Sequence, residues 1–280
     1  MSQNNMAGGV AVITGAGSGI GEGLARNAAA RGMKLVLADI AADRVEAVAA
    51  DLLATGADAL AVPTDVSDAA QLDALADRAY AAFGEVTLLV NNAGVETLGH
   101  VWEISAAAWE KTLAINVLGV IQSVRAFAPR MIAAGKPAWI ANVGSVGSLG
   151  MMPIQTPYML SKHAVLSFSE CLALEMELIG APITVSCVLP GPVASRIFTD
   201  AVMGEQGAGS DKHRAVMADM LRAHGLTPLE AGAIILDGIA AGNFWVPTHP
   251  GIADAMAQAR AAYLTGERRP ILTDEARALL

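Results

Sequence analysis

The chain has 280 residues, 54% of them hydrophobic and 16% charged, with a formal net charge of −9. Such a composition excludes a disordered chain and supplies a large core. The acidic balance, with no basic stripe, speaks against nucleic acid or an anionic membrane as partner. Two cysteines, Cys171 and Cys187, make neither a disulfide framework nor a metal-ligand spacing, and read as buried, reduced thiols of a cytoplasmic protein without a bound metal. Residues 1–9 form a polar tail lacking the apolar stretch of a secretory signal.

Apolar and amphipathic runs then alternate. Val10 to Thr14 is predicted as a buried strand and Ile20 to Arg31 as a helix opened by a glycine-rich turn; Lys34 to Asp39 is the second strand. Val45, Val48 and Leu52 recur at helical spacing, Ala59 to Pro63 is a short strand, and Leu72, Leu75, Ala79 and Phe83 mark another helix. Thr87 to Asn91 reads as strand, Trp109 to Met131 as helix, Ala138 to Val143 as strand and Tyr158 to Leu178 as a long helix. Ile183 to Leu189, Leu229 to Ala240 and Phe244 to Val246 complete the series as strand, helix and strand. Strands apolar on both faces, alternating with helices, indicate a parallel sheet covered on both sides. Without a linker or a repeat, residues 10–264 are expected to form a single doubly wound α/β domain, followed by a tail at 265–280.

Two stretches interrupt the pattern. Pro137 to Ser161 carries no charge and is long enough for a membrane span, but its prolines and glycines suit a buried strand and loop. Residues 192–227 form a long insertion with Gly204, Gly207 and Gly209 as well as Phe198, Met203, Met217 and Met220, and read as a substrate-binding loop or lid.

The Thr14-Gly15-Ala16-Gly17-Ser18-Gly19-Ile20-Gly21 turn sits between the first strand and the first helix. In that context glycines let the backbone approach a pyrophosphate, while the helix N-terminus offers free N–H groups and positive dipole. Asp39 ends the second strand, where a carboxylate can accept hydrogen bonds from ribose hydroxyls and repel a 2′-phosphate; Ile40 supplies no compensating charge. The pair favours NAD(H) over NADP(H). Tyr158 and Lys162, four apart on a predicted helix, project from one face, 13 residues after Ser145.

Taken with Asp65-Val66, Asn91-Asn92-Ala93-Gly94, Asn116 and Pro190-Gly191, these motifs resemble the classical short-chain dehydrogenase/reductase family over nearly the whole chain. The resemblance implies a Rossmann-type domain whose seven-stranded parallel sheet has the order 3-2-1-4-5-6-7. It implies that Gly15, Ser18, Gly19, Ile20 and Gly21 hold the pyrophosphate, that Asp65 and Val66 flank the adenine, and that Asn92, Ala93 and Gly94 pack against the cofactor. Pro190, Gly191, Val193 and Ser195 would line the nicotinamide; Ser195 stands where the family usually has Thr, and keeps the hydroxyl. Of the family's usual Ser-Ser pair, reading Gly144-Ser145 here, the catalytic second serine survives.

The implied catalytic set is Asn116, Ser145, Tyr158 and Lys162. A free tyrosine, with a pKa of about 10, is too weak an acid for chemistry near neutrality. Lys162 and an oxidised nicotinamide, both positive, are expected to lower it, while Ser145 orients the substrate oxygen and Lys162 also contacts the nicotinamide ribose. Asn116 would help hold a water in a proton relay. The substrate is expected to be a small-molecule alcohol or ketone, bulky and uncharged, enclosed by methionine and aliphatic side chains, with Glu96 and His100 as nearby polar groups. The Phe244 to Pro250 segment is similar to that of relatives acting on hydrophobic or aryl alcohols. Family habit implies a homo-oligomer, a tetramer with the Trp109 and Tyr158 helices packed across a two-fold. Two rival readings are weighed: a non-catalytic NAD-binding regulator, which would not need Ser145, Tyr158 and Lys162 together, and a sugar-nucleotide epimerase, which belongs to longer chains with another glycine spacing.

Overall fold

The computed structural model describes residues 6–203 and 208–266, and beyond them 270–272, 274 and 277. Gly204 and Gly207 therefore lie outside the described residues. The chain begins with β1 (Val10–Thr14), α1 (Gly19–Ala30), β2 (Lys34–Asp39), α2 (Ala42–Ala54), β3 (Ala59–Pro63), α3 (Ala69–Phe83) and β4 (Leu88–Asn91). It continues with a short β5 (Thr97–Leu98), α4 (Ala106–Leu113), a π turn (Ala114–Leu118), α5 (Gly119–Ala134), β6 (Ala138–Val143), a 3₁₀ turn (Val146–Ser148) and α6 (Thr156–Leu178). The last elements are β7 (Ile183–Leu189), β8 (Val202–Met203), α7 (Ala208–His224), α8 (Pro228–Ala240), β9 (Trp245–Pro247) and α9 (Pro250–Thr265).

Seven strands form one parallel sheet in the order β3-β2-β1-β4-β6-β7-β9. Counted within the sheet alone this is 3-2-1-4-5-6-7, the order the family resemblance implied. β1 explains why its strands look apolar throughout. Ala11 and Ile13 enter the core beneath α1, α2 and α8, whereas Val10 and Val12 enter the core beneath α3, α5 and α6. Each strand alternates between two buried faces, so both sets of side chains must be apolar. The sheet order reverses between β1 and β4, and ligands of such sheets bind at the carboxyl ends of the strands beside that point.

The insertion is more ordered than expected from its glycines. It contains the helix α7, and β8 pairs in parallel with β5 as a two-stranded ribbon, Thr97 opposite Val202 and Leu98 opposite Met203. Leu221, with Phe198, Leu98 and Ile154, builds a small third core against which Met203, Met217 and Met220 pack. The spacing of Met217, Met220 and Leu221 is helical, but only the docking of this stripe onto residues from three other segments makes it a stable element. The uncharged stretch Pro137 to Ser161 folds as β6, the 3₁₀ turn and the start of α6. A different run, Ala106–Ala134, is long and apolar enough to cross a membrane; its Val124, Phe127 and Met131 pack onto the sheet as core. One expectation is corrected: Cys171 lies exposed on α6, and only Cys187 on β7 is buried.

Candidate active site

The glycine-rich turn is built by the backbone and leaves no room for side chains. Gly15 and Gly19 have φ of +64° and +55°, in the left-handed region; a Cβ on Gly21 would fall 2.0 Å from the Gly15 carbonyl oxygen. Asn92 clamps this turn from β4, its Nδ2 donating to the carbonyls of Thr14 (2.9 Å) and Gly15 (3.1 Å). The Thr14 hydroxyl in turn accepts from the N–H groups of Asn92 and Ala93. Ser18 stands in extended conformation before α1 and its side chain makes no capping hydrogen bond, so the N–H groups of the first turn face outward without a side-chain acceptor. Turn, clamp and helix terminus fit a pyrophosphate.

Asp39 is bonded on both oxygens: Oδ2 accepts from Gly17 N and Oδ1 from Ala41 N, each at 2.9 Å. It therefore does structural work as well, tying β2 to the glycine turn and to the start of α2. Each carboxylate oxygen retains a further acceptor direction. Asp65 and Val66 follow β3; Asp65 Oδ1 accepts from the Ser67 backbone and hydroxyl, and Val66 is buried against Gly119. At the other end of the site, Pro190 O accepts from Val146 N and Gly191 N donates to the Thr248 hydroxyl, both at 2.9 Å. Val193 bridges to Leu226, and a Cβ on Gly19 would lie 3.2 Å from that of Ser195. The segment after β7 thus lies against the glycine turn, which brings together residues far apart in the chain.

Ser145 follows β6 by two residues and caps the 3₁₀ turn, its Oγ accepting from Gly147 N at 3.0 Å. A Cβ on Gly144 would sit 2.8 Å from Ser148 Oγ, which itself accepts from Ser145 N; glycine in place of the first family serine suits this crowding. Tyr158 and Lys162 occupy the first turns of α6, which Pro157 helps to start. The Tyr158 hydroxyl is near enough to Ser145 for the serine to act on its ionisation. Lys162 Nζ donates to Val143 O at 2.9 Å and lies 5.5 Å from the Tyr158 ring centroid. Ser145, Tyr158 and Lys162 thus form one constellation.

Asn116 lies in the π turn with its side chain buried: Oδ1 accepts from Val95 N (2.8 Å), and Nδ2 donates to Val95 O (2.9 Å) and Ser161 Oγ (3.0 Å). The side chain fixes the chain beyond β4. The electrostatics differ from expectation. Burial lifts the Tyr158 phenol above its ordinary value, Glu96 adds to the rise, and Ser145 opposes it. Lys162 is pulled down to about 8 by burial, against the charge of Glu96 and of Cys187. The groups around Tyr158 thus favour its neutral phenol over tyrosinate.

Of the two polar wall candidates, His100 is exposed and stacks on the exposed Trp102, ring centroids 4.9 Å apart, whereas Glu96 is 1% exposed. Sequence reasoning missed two features between Ser145 and Tyr158. Ile154 has φ of +68°, a strained conformation for a β-branched residue, and Gln155 Nε2 meets His213 Nε2 of α7 at 2.8 Å, both side chains buried. A buried glutamine–histidine pair carries no local sequence signal, because its partners are 58 residues apart.

A family model described as short chain dehydrogenase matches residues 9–206. The oxidoreductase EphD of Mycobacterium tuberculosis is 35% identical over 202 residues, 72% of this chain, which spans only 33% of that relative's length. A C alpha-dehydrogenase of a Sphingobium species is 30% identical over 253 residues, 88% of this chain and 82% of the relative. Among solved structures, a short-chain dehydrogenase/reductase from Burkholderia phymatum in complex with NAD is similar with a TM-score of 0.89 at 35% identity, covering 95% of this chain and 99% of that one.

Proposed function

The chain belongs to the short-chain dehydrogenase family, and on that footing we propose that it is an oxidoreductase that interconverts a secondary alcohol and a ketone with NAD(H) as cofactor. The observation that carries this reading is the Ser145–Tyr158–Lys162 constellation, standing at the carboxyl ends of the strands beside the glycine turn. NAD(H) fits the cradle of Gly15, Ser18, Gly19, Ile20 and Gly21, with Asp39 for the ribose hydroxyls, Asp65 and Val66 beside the adenine, and Asn92, Ala93 and Gly94 under the nicotinamide side. A structural neighbour with NAD bound supports the same choice.

The cofactor supplies hydride transfer at its nicotinamide ring and, when oxidised, a positive charge. The protein handles the proton. Tyr158 gives its hydroxyl proton to the nascent alkoxide in reduction and takes it back in oxidation. Ser145, beside that hydroxyl, holds the substrate oxygen next to it. Lys162, kept in place by Val143 O, orients the ribose and steadies charge on the phenol. Pro190, Gly191, Val193 and Ser195 wall the nicotinamide, and Asn116 positions Val95 and thereby the floor of the site.

The apolar cluster of Leu98, Ile154, Phe198 and Leu221, with the methionines of α7, supports a bulky, uncharged substrate. A relative named for dehydrogenation at a C alpha position supports chemistry at a secondary carbinol. Leu160, Leu174 and Leu178 leave an apolar stripe of α6 exposed, which supports a homo-oligomer packed through that helix, and the unpaired thiols suit the cytoplasm. A panel of aryl and alkyl ketones and secondary alcohols, followed by NADH absorbance, tests the reading. Turnover of at least one pair in both directions is expected; no turnover of any member, with NADH bound, overturns it.

A further inference from the structure

Glu96 is a carboxylic residue where the fold has little reason to put one. It follows the Asn92 to Gly94 turn, it is 1% exposed, and no basic side chain forms an ion pair with it among the described residues. Its Oε1 accepts only from the neighbouring Thr97 N, at 3.1 Å, and Oε2 has no hydrogen-bond partner among the described residues. Burying a carboxyl group so poorly satisfied is costly, and apolar replacements would fill the space without that cost.

The direction of the side chain follows from the strand it enters. Thr97 points to α4, where its hydroxyl meets that of Thr112 at 2.6 Å, while Leu98 points to the cluster with Ile154 and Phe198. Side chains of an extended strand alternate, so Glu96 shares the face of Leu98 and looks toward the insertion. Its carboxyl group is also close enough to act electrostatically on Lys162 and on Tyr158. It is thus near the catalytic pair and on the face of the strand that carries Leu98 of the apolar cluster.

We propose that Glu96 is a specificity residue whose carboxyl group binds a second oxygen of the substrate, next to the reacting carbon, so that the preferred substrates are hydroxyketones and the corresponding diols. This rests on the alcohol–ketone reading above and narrows its substrate class. Burial raises the Glu96 carboxyl well above the ordinary range, with the Thr97 N–H and Lys162 opposing, which favours its protonated form, able both to donate and to accept. A cationic substituent is disfavoured by Lys162 and the oxidised ring, and any charged one by the cost of burying it beside the apolar cluster. A neutral hydroxyl or carbonyl is what remains, and it would satisfy the unpaired oxygen.

Two ketones of nearly equal shape test this: propiophenone and 2-hydroxyacetophenone, which differ by methyl against hydroxyl beside the carbonyl. Each is titrated into the parent enzyme–NADH complex, with nicotinamide fluorescence read before turnover, and kcat/KM is measured separately. The parent should bind the hydroxyketone at least about tenfold more tightly, the value of one well-made hydrogen bond. Glu96→Met, apolar and of similar length, should bring the affinity ratio to near one, chiefly through KM, and Glu96→Gln should retain much of it. Equal affinity for the two ketones in the parent overturns the proposal without any variant, as does a preference that persists in Glu96→Met. Tight hydroxyketone binding without turnover of either ketone would leave the Glu96 assignment standing and overturn the alcohol–ketone reading. Binding of neither at millimolar concentration overturns both.

Discussion

The cofactor end and the substrate end of this site are made in different ways. At the cofactor end the surface is backbone: glycines at φ above zero, a helix terminus, and polar side chains such as Asn92 and Asp39 whose hydrogen bonds go to main-chain groups. At the substrate end the surface is side chain: Leu98, Ile154, Phe198 and Leu221 drawn from four segments, with Gln155 and His213 as the buried polar link to α7. A backbone-built site has one solution and tolerates almost no substitution. A side-chain-built site can be repacked one residue at a time, so the same scaffold can turn to other substrates while its cofactor geometry stays fixed.

The largest effect expected lies where the two ends meet. Tyr158→Phe removes the proton donor and keeps the ring, so NADH should bind as before while kcat falls by roughly 10²–10⁴-fold. Steady-state rates and an NADH titration check both halves. A variant retaining more than about a tenth of kcat would assign the acid–base role elsewhere.

Next comes the cofactor end alone. The parent should prefer NADH to NADPH by at least about a hundredfold in kcat/KM, since a 2′-phosphate meets Asp39 and forfeits its hydrogen bonds. Asp39→Ala with Ile40→Arg should narrow or invert that preference. The same change removes the Asp39 acceptors for Gly17 N and Ala41 N, so a loss of melting temperature is expected alongside. Comparable use of both cofactors by the parent would break the assignment of Asp39.

A third prediction concerns stability. The Lys162 value of about 8 lies below the ordinary 10.5, so between these the unfolded chain holds a proton that the folded protein has lost. Folding stability from this group therefore rises with pH across that window, and below about 8 the full cost of burying the ammonium is present. A shift of this size corresponds to about 3 kcal/mol. Lys162→Met should abolish activity yet stabilise the protein at pH 7 by about 1–3 kcal/mol, less the lost hydrogen bond to Val143 O. The gain should shrink toward pH 9, before the raised Cys187 thiol begins to oppose it. Denaturant melts of both proteins at the two pH values check the sign; a variant less stable than the parent at pH 7 contradicts it.

The smallest effect belongs to the lid. Met217→Ala should raise KM for bulky ketones severalfold and for small ones little, because it removes contacts only larger substrates make. Equal changes for both would make Met217 part of the scaffold instead.

The amino-acid sequence by itself determined most strands of the sheet and the glycine-rich turn, while the strand order came only through the family resemblance. β1, β2, β3, β6 and β7 occupy the segments expected of them, because a strand buried on both faces must be apolar throughout and a pyrophosphate turn must be glycine-rich; both demands are local and leave a local trace. Spacing alone placed Tyr158 and Lys162 on one helix face, and the proposed catalytic set came through the family resemblance. Only the tertiary structure decided the rest. The residues from 192 to 227 become β8 and a helix by docking on Leu98 and Ile154, Asn116 is committed to Val95, Cys171 is turned outward, and Glu96 is buried while His100 is not. Each of these outcomes depends on partners far away in the chain, and no periodicity or motif records which distant side chain a given residue will meet.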